Sequence, residues 1–317
     1  MVELESLENK IRNFIQRRVE LWEVKRGNFD NEILKIALST RDNNVLDNSF
    51  CLGYMREKYV LAAAVQAGCA VGCQFCEIGD MGYRRNLMSF EILDELAMIL
   101  NMGVETGFDI YQKPLKAAFV AGGDPLLNPH LYDVMAYMME HLPIQLKIST
   151  VFPNTPDAYH NFTKIVEAAS VYPNIMQLQI SLGSTDKSFR KNNSRVELAD
   201  FSTIARAGKY WMENVPNPRK INLSFTVHSE TPMDLSVIRD VLLPEIFNIR
   251  IRAYNETDTG RRNMLERIDD QNVNYLTKMV QEEGYTVIPR WVLPAERKYE
   301  LSTGMFIKGM NYVGPLR

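Results

Sequence analysis

The sequence predicts an α/β fold: a partial (β/α)6 barrel with a short N-terminal helical segment and a C-terminal extension. Three observations carry this expectation. Short apolar runs alternate with segments of helical period from residue 58 onward. The proline-containing turns at Pro216/Pro218 and Pro232 read as loops within one domain, not linkers. The 317 residues, 46% hydrophobic and 24% charged, suit one large α/β domain with small additions. Repeated strand–helix units on this scale build a parallel sheet with helices outside, and about six of them curve into an open barrel.

Residues 1–50 read as an N-terminal helical accessory segment. Leu7, Ile11, Phe14, Ile15, Val19 and Trp22 recur at helical spacing, with Lys10, Arg12, Arg17 and Arg18 among them. A second short helix is expected over Asn31–Leu38. Glu3, Glu5, Glu8, Glu20 and Glu23 dilute the basic residues, so this segment reads as a solvated helix face. Cys51 stands alone and reads as a partly buried structural thiol.

Residues 51–284 make the core. Tyr59–Ala67 is an apolar run of small residues, the first strand. Ser89 is placed to cap a helix over Phe90–Met102, with Glu91 in its first turn. Further strands are expected over Leu115–Val120, Ile144–Ser149, Ile175–Leu182, Ile221–Val227 and Ile249–Tyr254. The intervening helices fall at Leu131–His141, Asp157–Val171, Asp200–Val215, Leu235–Leu243 and Gln271–Glu283. Residues 285–317 form a C-terminal strand, Tyr285–Val292, and its extension.

Composition narrows the setting. No stretch is long and apolar enough to cross a bilayer, and Met1-Val-Glu-Leu-Glu-Ser lacks a signal-peptide pattern. Four cysteines, three of them close together, point to a reducing compartment and a cytoplasmic location. A net charge of −3 argues against indiscriminate nucleic-acid binding.

The chemistry gathers in Gly68-Cys69-Ala70-Val71-Gly72-Cys73-Gln74-Phe75-Cys76, with the spacing C-x3-C-x2-C. Three thiolates this close cannot all pair as disulfides. They can ligate three irons of a cubane iron–sulfur cluster and leave the fourth iron open as a reaction site. Zinc is the alternative, but a structural zinc site normally takes four ligands, and no histidine lies nearer than His130. In a barrel, chemistry collects at the carboxyl ends of the strands. The cysteine loop follows the first strand; Ala121-Gly122-Gly123-Asp124-Pro-Leu-Leu-Asn128 follows the second. Ser149-Thr150 ends the third, Ser181 with Gly183 and Ser184 the fourth, and Asn255 follows the sixth. Singly, each reads as a turn or a local hydrogen-bonder; their common location marks them as a site.

The cysteine spacing, with an aromatic Phe75 before the last cysteine, is similar to that of radical S-adenosylmethionine (SAM) enzymes. Over most of residues 58–305 the chain resembles the RlmN/Cfr family, which methylates an adenine base in RNA. Gln66–Cys76 resembles the family's Gln-Val-Gly-Cys segment, and Gly82-Tyr-Arg-Arg-Asn-Leu87 its continuation. Gly123-Asp-Pro-Leu-Leu-Asn128 resembles its Gly-Glu-Pro-Leu-Leu-Asn motif. Ile148-Ser149-Thr150, Ile180-Ser181-Leu182 and Tyr254-Asn255 resemble its SAM-contacting strand ends. The resemblance implies a partial barrel of the radical SAM type. It implies that Cys69, Cys73 and Cys76 bind a [4Fe–4S] cluster. Phe75, Gly122, Gly123, Asp124, Ser149, Ser181 and Asn255 are then the residues that meet SAM, Asp124 through its amino group.

The departures bear on the reaction. Family members use two further cysteines for methyl transfer, one seven positions before the first cluster cysteine and one before a C-terminal glycine. The matching positions here are Ala62 and Thr303, the latter before Gly304. Gly183 stands where the family has a histidine, and Asp124 where it has a glutamate. The N-terminal segment is also shorter than the family's RNA-contacting domain.

These features predict an enzyme that cleaves SAM to a 5′-deoxyadenosyl radical and abstracts hydrogen, without methyl transfer of the RlmN type. Its electron donor would be a flavodoxin or ferredoxin. The acidic pI and the shorter N-terminus favour a small-molecule substrate, in an isomerase, epimerase or decarboxylase reaction. An RlmN/Cfr-like nucleobase or nucleotide enzyme is the alternative, with Arg84, Arg85, Arg250, Arg252, Arg261 and Arg262 available for phosphates. A non-catalytic cluster or SAM sensor is a third reading.

Overall fold

A computed structural model describes residues 7–142, 144–172, 176–288 and 292–310. A short helix, α1 (Leu7–Ile15), leads into three antiparallel strands, β1 (Trp22–Phe29), β2 (Ile33–Ser39) and β3 (Val45–Leu52). The helix expected over Asn31–Leu38 is therefore strand β2, and Trp22 belongs to β1. Every residue of β2 is buried, Lys35 and Ser39 included, so the strand lacks the alternation of apolar and polar positions that would tell it from a helix. Asp30 and Asn31 both take positive φ, 53° each, and turn the β1–β2 hairpin.

The parallel core begins with β4 (Tyr59–Ala64). A small hairpin, β5 (Gln66–Gly68) and β6 (Tyr83–Asn86), encloses the cysteine loop and the short helix α2 (Glu77–Asp80). Then follow α3 (Ser89–Glu105), β7 (Leu115–Gly122), α4 (Leu131–His141), β8 (Gln145–Thr150), α5 (Pro156–Val171), β9 (Met176–Ser181), α6 (Lys187–Asn192) and α7 (Phe201–Asn214). The chain continues through β10 (Ile221–Val227), α8 (Ser236–Arg239), β11 (Phe247–Ala253), α9 (Asp258–Arg262), α10 (Asp270–Glu282) and α11 (Pro294–Lys298).

The nine-stranded sheet runs β1-β2-β3-β4-β7-β8-β9-β10-β11, with every pair from β4 to β11 parallel. This is the expected six-stranded parallel core, and the sheet stays open at β11. The antiparallel strands, not a second helix, extend it on the β4 side.

Alternation along the strands separates two faces. Leu61, Ala63, Phe119, Leu146, Ile148, Ile180, Phe225 and Ile251 are buried in the main apolar core beneath the helices. Several helices start at side-chain caps: Thr155 accepts from Ala158 N–H, Asp200 from Thr203 N–H and Asp269 from Asn272 N–H. Ser89 does not cap α3. Met88 is the N-cap, and its N–H donates to Glu91 Oε2 at 2.9 Å while the Ser89 hydroxyl reaches the His130 carbonyl. Only Ser236–Arg239 of the helix expected over Leu235–Leu243 is helical. Of the expected strand Tyr285–Val292, Val287 bridges Ile249 and residues 289–291 lie outside the described residues. No helix among the described residues is long and apolar enough to cross a membrane.

Candidate functional site

At the carboxyl end of the parallel strands lies a cavity of about 360 Å³, a size suited to a small-molecule site. Cys69, Cys73 and Cys76 line it together with Phe75, Gly122, Gly123, Asp124, Ser149, Ser181 and Asn255. Every residue that the sequence assigns to the cluster or to SAM therefore faces one space. Ser302 and Thr303, from the C-terminal extension, line it too.

The cysteine loop is held by chain segments far away in sequence. Cys69 N–H donates to the Gly82 carbonyl at 3.1 Å, and Arg195 N–H donates to the Val71 carbonyl at 2.7 Å. Thr257 Oγ1 donates to the Phe75 carbonyl at 2.8 Å, and Asn263 Nδ2 donates to the Gln74 carbonyl at 2.6 Å. The Phe75 ring meets Tyr254 edge-on, with centroids 6.2 Å apart. The loops after β9 and β11 thus fix the loop after β4, which is how a sheet makes one site from several strand ends.

Gly123 has φ +83°, and a Cβ there would collide with Gln66. The close approach lets Gln66 Oε1 accept the Asp124 N–H at 3.2 Å. The Asp124 carboxylate takes three donors: Thr150 Oγ1 across both oxygens, Val151 N–H at 2.8 Å and Leu126 N–H at 2.9 Å. A carboxylate offers about four acceptor directions, and these contacts, two on each oxygen, lock Asp124 in place. Burial pushes its carboxyl up to about 6, against these hydrogen bonds. Ser149 Oγ accepts from Gln179 Nε2 at 2.7 Å, and Asn255 Nδ2 donates to Glu296 Oε1 at 3.0 Å.

Burial, then the neighbouring thiols, push Cys73 well above the ordinary thiol range; burial lifts Cys69 to about 12 and raises Cys76. The charged groups that act most strongly on the three are their fellow thiols and the carboxylates of Asp124, Glu77 and Asp47. A positively charged metal group supplies what such thiols lack to become thiolates. Among the described residues, no three His, Cys, Asp or Glu side chains are arranged to hold a single metal ion. A four-iron cube places each thiolate on a different iron, so its ligands need not converge on one point. The donor set fits such a cluster better than it fits a lone zinc.

No family model matches the chain. It is 26% identical over 220 residues to the dual-specificity RNA methyltransferase RlmN of Marinobacter nauticus, covering 66% of this chain and 57% of that protein. The ribosomal RNA large subunit methyltransferase Cfr of Lachnoclostridium phytofermentans is 28% identical over 162 residues, 49% of this chain and 44% of Cfr. A probable RlmN of Prochlorococcus marinus is 38% identical over 96 residues, 30% of this chain and 25% of that protein. The chain thus spans less than two thirds of the length of these relatives. A crystal structure of a radical SAM methyltransferase from Sphaerobacter thermophilus superposes with TM-score 0.73 at 16% identity, covering 96% of this chain and 86% of that one. The chain is similar in sequence to the RlmN/Cfr RNA methyltransferases and in fold to a radical SAM methyltransferase.

In this RlmN/Cfr-like chain Ala62 lies on β4 opposite Ser49 of β3, whereas Cys51 pairs with Val60. Cys51 is therefore two positions farther from the cysteine loop, and it does not line the cavity. Burial pushes its thiol up to about 12.

Sequence reasoning missed the residues that position Thr303. Lys35 and Asp47 form a buried ion pair at 2.7 Å, and Asp47 Oδ2 also accepts the Gly304 N–H at 2.5 Å. Gly304, at φ +90°, leaves no room for a Cβ beside Glu77 of α2. Glu77 in turn accepts the Thr259 N–H at 2.6 Å. Each of these is a lone charged residue in the sequence, and only the fold brings them together.

The arginines divide clearly. Arg85 pairs with Asp42 and Glu91, Arg261 with Glu256, Asp258 and Glu300, and Arg262 with Asp80. Arg84 lies exposed. Arg250 and Arg252 alternate with the buried Ile249, Ile251 and Ala253 and so take the opposite, cavity side of β11. That Ile-Arg-Ile-Arg alternation was the signal available in the sequence.

Proposed function

We propose that the protein is a radical SAM enzyme acting on a nucleobase- or nucleotide-bearing substrate, without a methyl-carrying cysteine. The observation that carries this is the single cavity in which the three cysteines meet Gly122, Gly123, Asp124, Ser149, Ser181 and Asn255. The RNA methyltransferases among its relatives support a nucleobase substrate over an unrelated small molecule.

Cys69, Cys73 and Cys76 would hold a [4Fe–4S] cluster, and the polar strand ends would hold SAM. Bound together and supplied with one electron by a flavodoxin- or ferredoxin-type donor, they provide a 5′-deoxyadenosyl radical able to take hydrogen from carbon. The chain's own part is to place and to exclude. Asp124, its carboxylate fixed by three donors, lines the cavity and would meet an ammonium group there as an opposite charge. Ser149, Ser181 and Asn255 offer hydroxyl and amide groups to a carboxylate or ribose. Thr303 occupies the cavity wall where a thiol would carry a methyl group, and its hydroxyl is far less readily ionised.

The test is to incubate the reduced, cluster-loaded protein with SAM and either RNA, nucleotides or metabolites without a nucleobase. Release of 5′-deoxyadenosine above the substrate-free rate with a nucleobase compound supports the proposal. Stimulation only by compounds without a nucleobase overturns it.

A further inference from the structure

Below the cysteine loop, the cavity side of the sheet carries cations that the chain does not neutralise. On β7, β8 and β11 the apolar residues Ala117, Phe119, Leu146, Ile148, Ile249 and Ile251 are buried on one face. Lys116, Lys147, Arg250 and Arg252 occupy the alternate positions. Lys147 and Arg252 line the cavity that holds the cysteines. Lys116 and Arg250 lie on the same face, nearer the amino ends of their strands. Among the described residues none of the four makes an ion pair or hydrogen bond through its side chain, and the buried Nε of Arg250 has no partner. The acid felt by Arg250 is Glu296, which already holds Asn255.

Half-buried charges in an apolar surround are costly unless they are paired, and four neighbouring like charges add mutual repulsion. We propose that Lys116, Lys147, Arg250 and Arg252 form a phosphate subsite, and that the substrate is a small phosphate-bearing molecule whose reacting end faces the cysteine loop. The identification of that molecule as a free nucleotide rests on the nucleobase reading above; the anion site does not.

The electrostatics agree with this geometry. Burial, reinforced by the neighbouring cations, holds Lys147 well below the ordinary lysine range, lowers Lys116 to about 8 and lowers Arg250 to about 10. A phosphate dianion among them would restore their full charge, so ligand binding and protonation reinforce each other. The carboxylate of SAM carries one negative charge, too little to balance four cations.

The test is calorimetric titration of the protein with pyrophosphate, and with a nucleoside 5′-monophosphate against the same nucleoside without phosphate. The phosphate compounds should bind, and the bare nucleoside should bind about tenfold or more weakly. Lys147→Met and Arg250→Met should each weaken the phosphate compounds about tenfold or more, while exposed Lys209→Gln should not. Both Met variants should also melt at a higher temperature than the parent when no ligand is present, since each removes a repelled charge; this separates lost binding from lost folding.

Parental affinity for pyrophosphate in both Met variants would overturn the subsite. Displacement of pyrophosphate by SAM alone would also overturn it, by assigning the cations to SAM. So would tight binding of a 5′-hydroxyl RNA oligonucleotide through these residues with none by the nucleotides. SAM cleavage is read separately. A protein that binds pyrophosphate here but never cleaves SAM overturns the proposed reaction and leaves the subsite standing.

Discussion

Thr150, the last residue of β8, donates its hydroxyl across both carboxylate oxygens of Asp124, at 2.7 and 2.9 Å. The same Oγ1 accepts the Phe152 N–H at 2.8 Å. One hydroxyl therefore ties the Gly-Gly-Asp loop after β7 to the end of β8, and both loops form the cavity wall. Thr150→Val removes these bonds while keeping the shape. It should lower stability by about 1–3 kcal/mol, read as a lower urea midpoint with unchanged slope. An unchanged midpoint would show that the link contributes nothing.

A second buried hub ties the C-terminal extension to the sheet. Asp47→Ala would leave Lys35 buried without its partner and release the Gly304 N–H. Breaking a buried pair from one side costs about 3–5 kcal/mol. The variant should unfold at lower urea, and hydrogen exchange over residues 301–310 should quicken first. Parental exchange there would contradict the anchoring role of Asp47.

Glu95 supplies a pH-dependent case. Its carboxyl is fully buried, accepts the Ala64 N–H at 2.9 Å, and is held well above the ordinary carboxylate range by burial. A folded-state value above the unfolded one means that the folded protein binds the extra proton. Stability from this group is present at low pH and is lost as pH rises from the usual carboxylate range through the raised value. Glu95→Gln keeps the shape and the acceptor without the ionisation. It should raise the melting temperature at pH 8 more than at pH 5; an equal shift at both would contradict the assignment.

Much of this arrangement was legible beforehand. The alternation from Tyr59 to Ala253 marked six parallel strands, and the strand-end rule brought Gly123, Ser149, Ser181 and Asn255 to the cysteines. The antiparallel strands were not legible, because β2 is buried on both faces and loses its period of two. Asp30 and Asn31 held the hairpin signal, since both tolerate the left-handed turn that joins β1 to β2. The interior cations were visible as residues but not as a group. Lys116, Lys147 and Arg250 lie on three strands, and the β7–β8–β9–β10–β11 pairing is needed to place them on one face.

The positions of Ala62 and Thr303 lead to a labelling prediction. With SAM carrying a labelled methyl group, the label should remain in methionine. Intact-mass measurement should show no S-methylated protein, and digested RNA no labelled methyladenine. Methylation of Cys51 would contradict this division of labour, because that thiol lies off the cavity and is strongly disfavoured as a thiolate.

The most direct measurement is made on protein purified and reconstituted without oxygen, then reduced in the presence of SAM. It should contain about four irons per chain and release 5′-deoxyadenosine with methionine, and Cys73→Ala should lose both properties. Stoichiometric zinc without iron in the anaerobically purified protein, or a four-iron protein that leaves SAM uncleaved, would contradict a radical SAM centre at Cys69, Cys73 and Cys76.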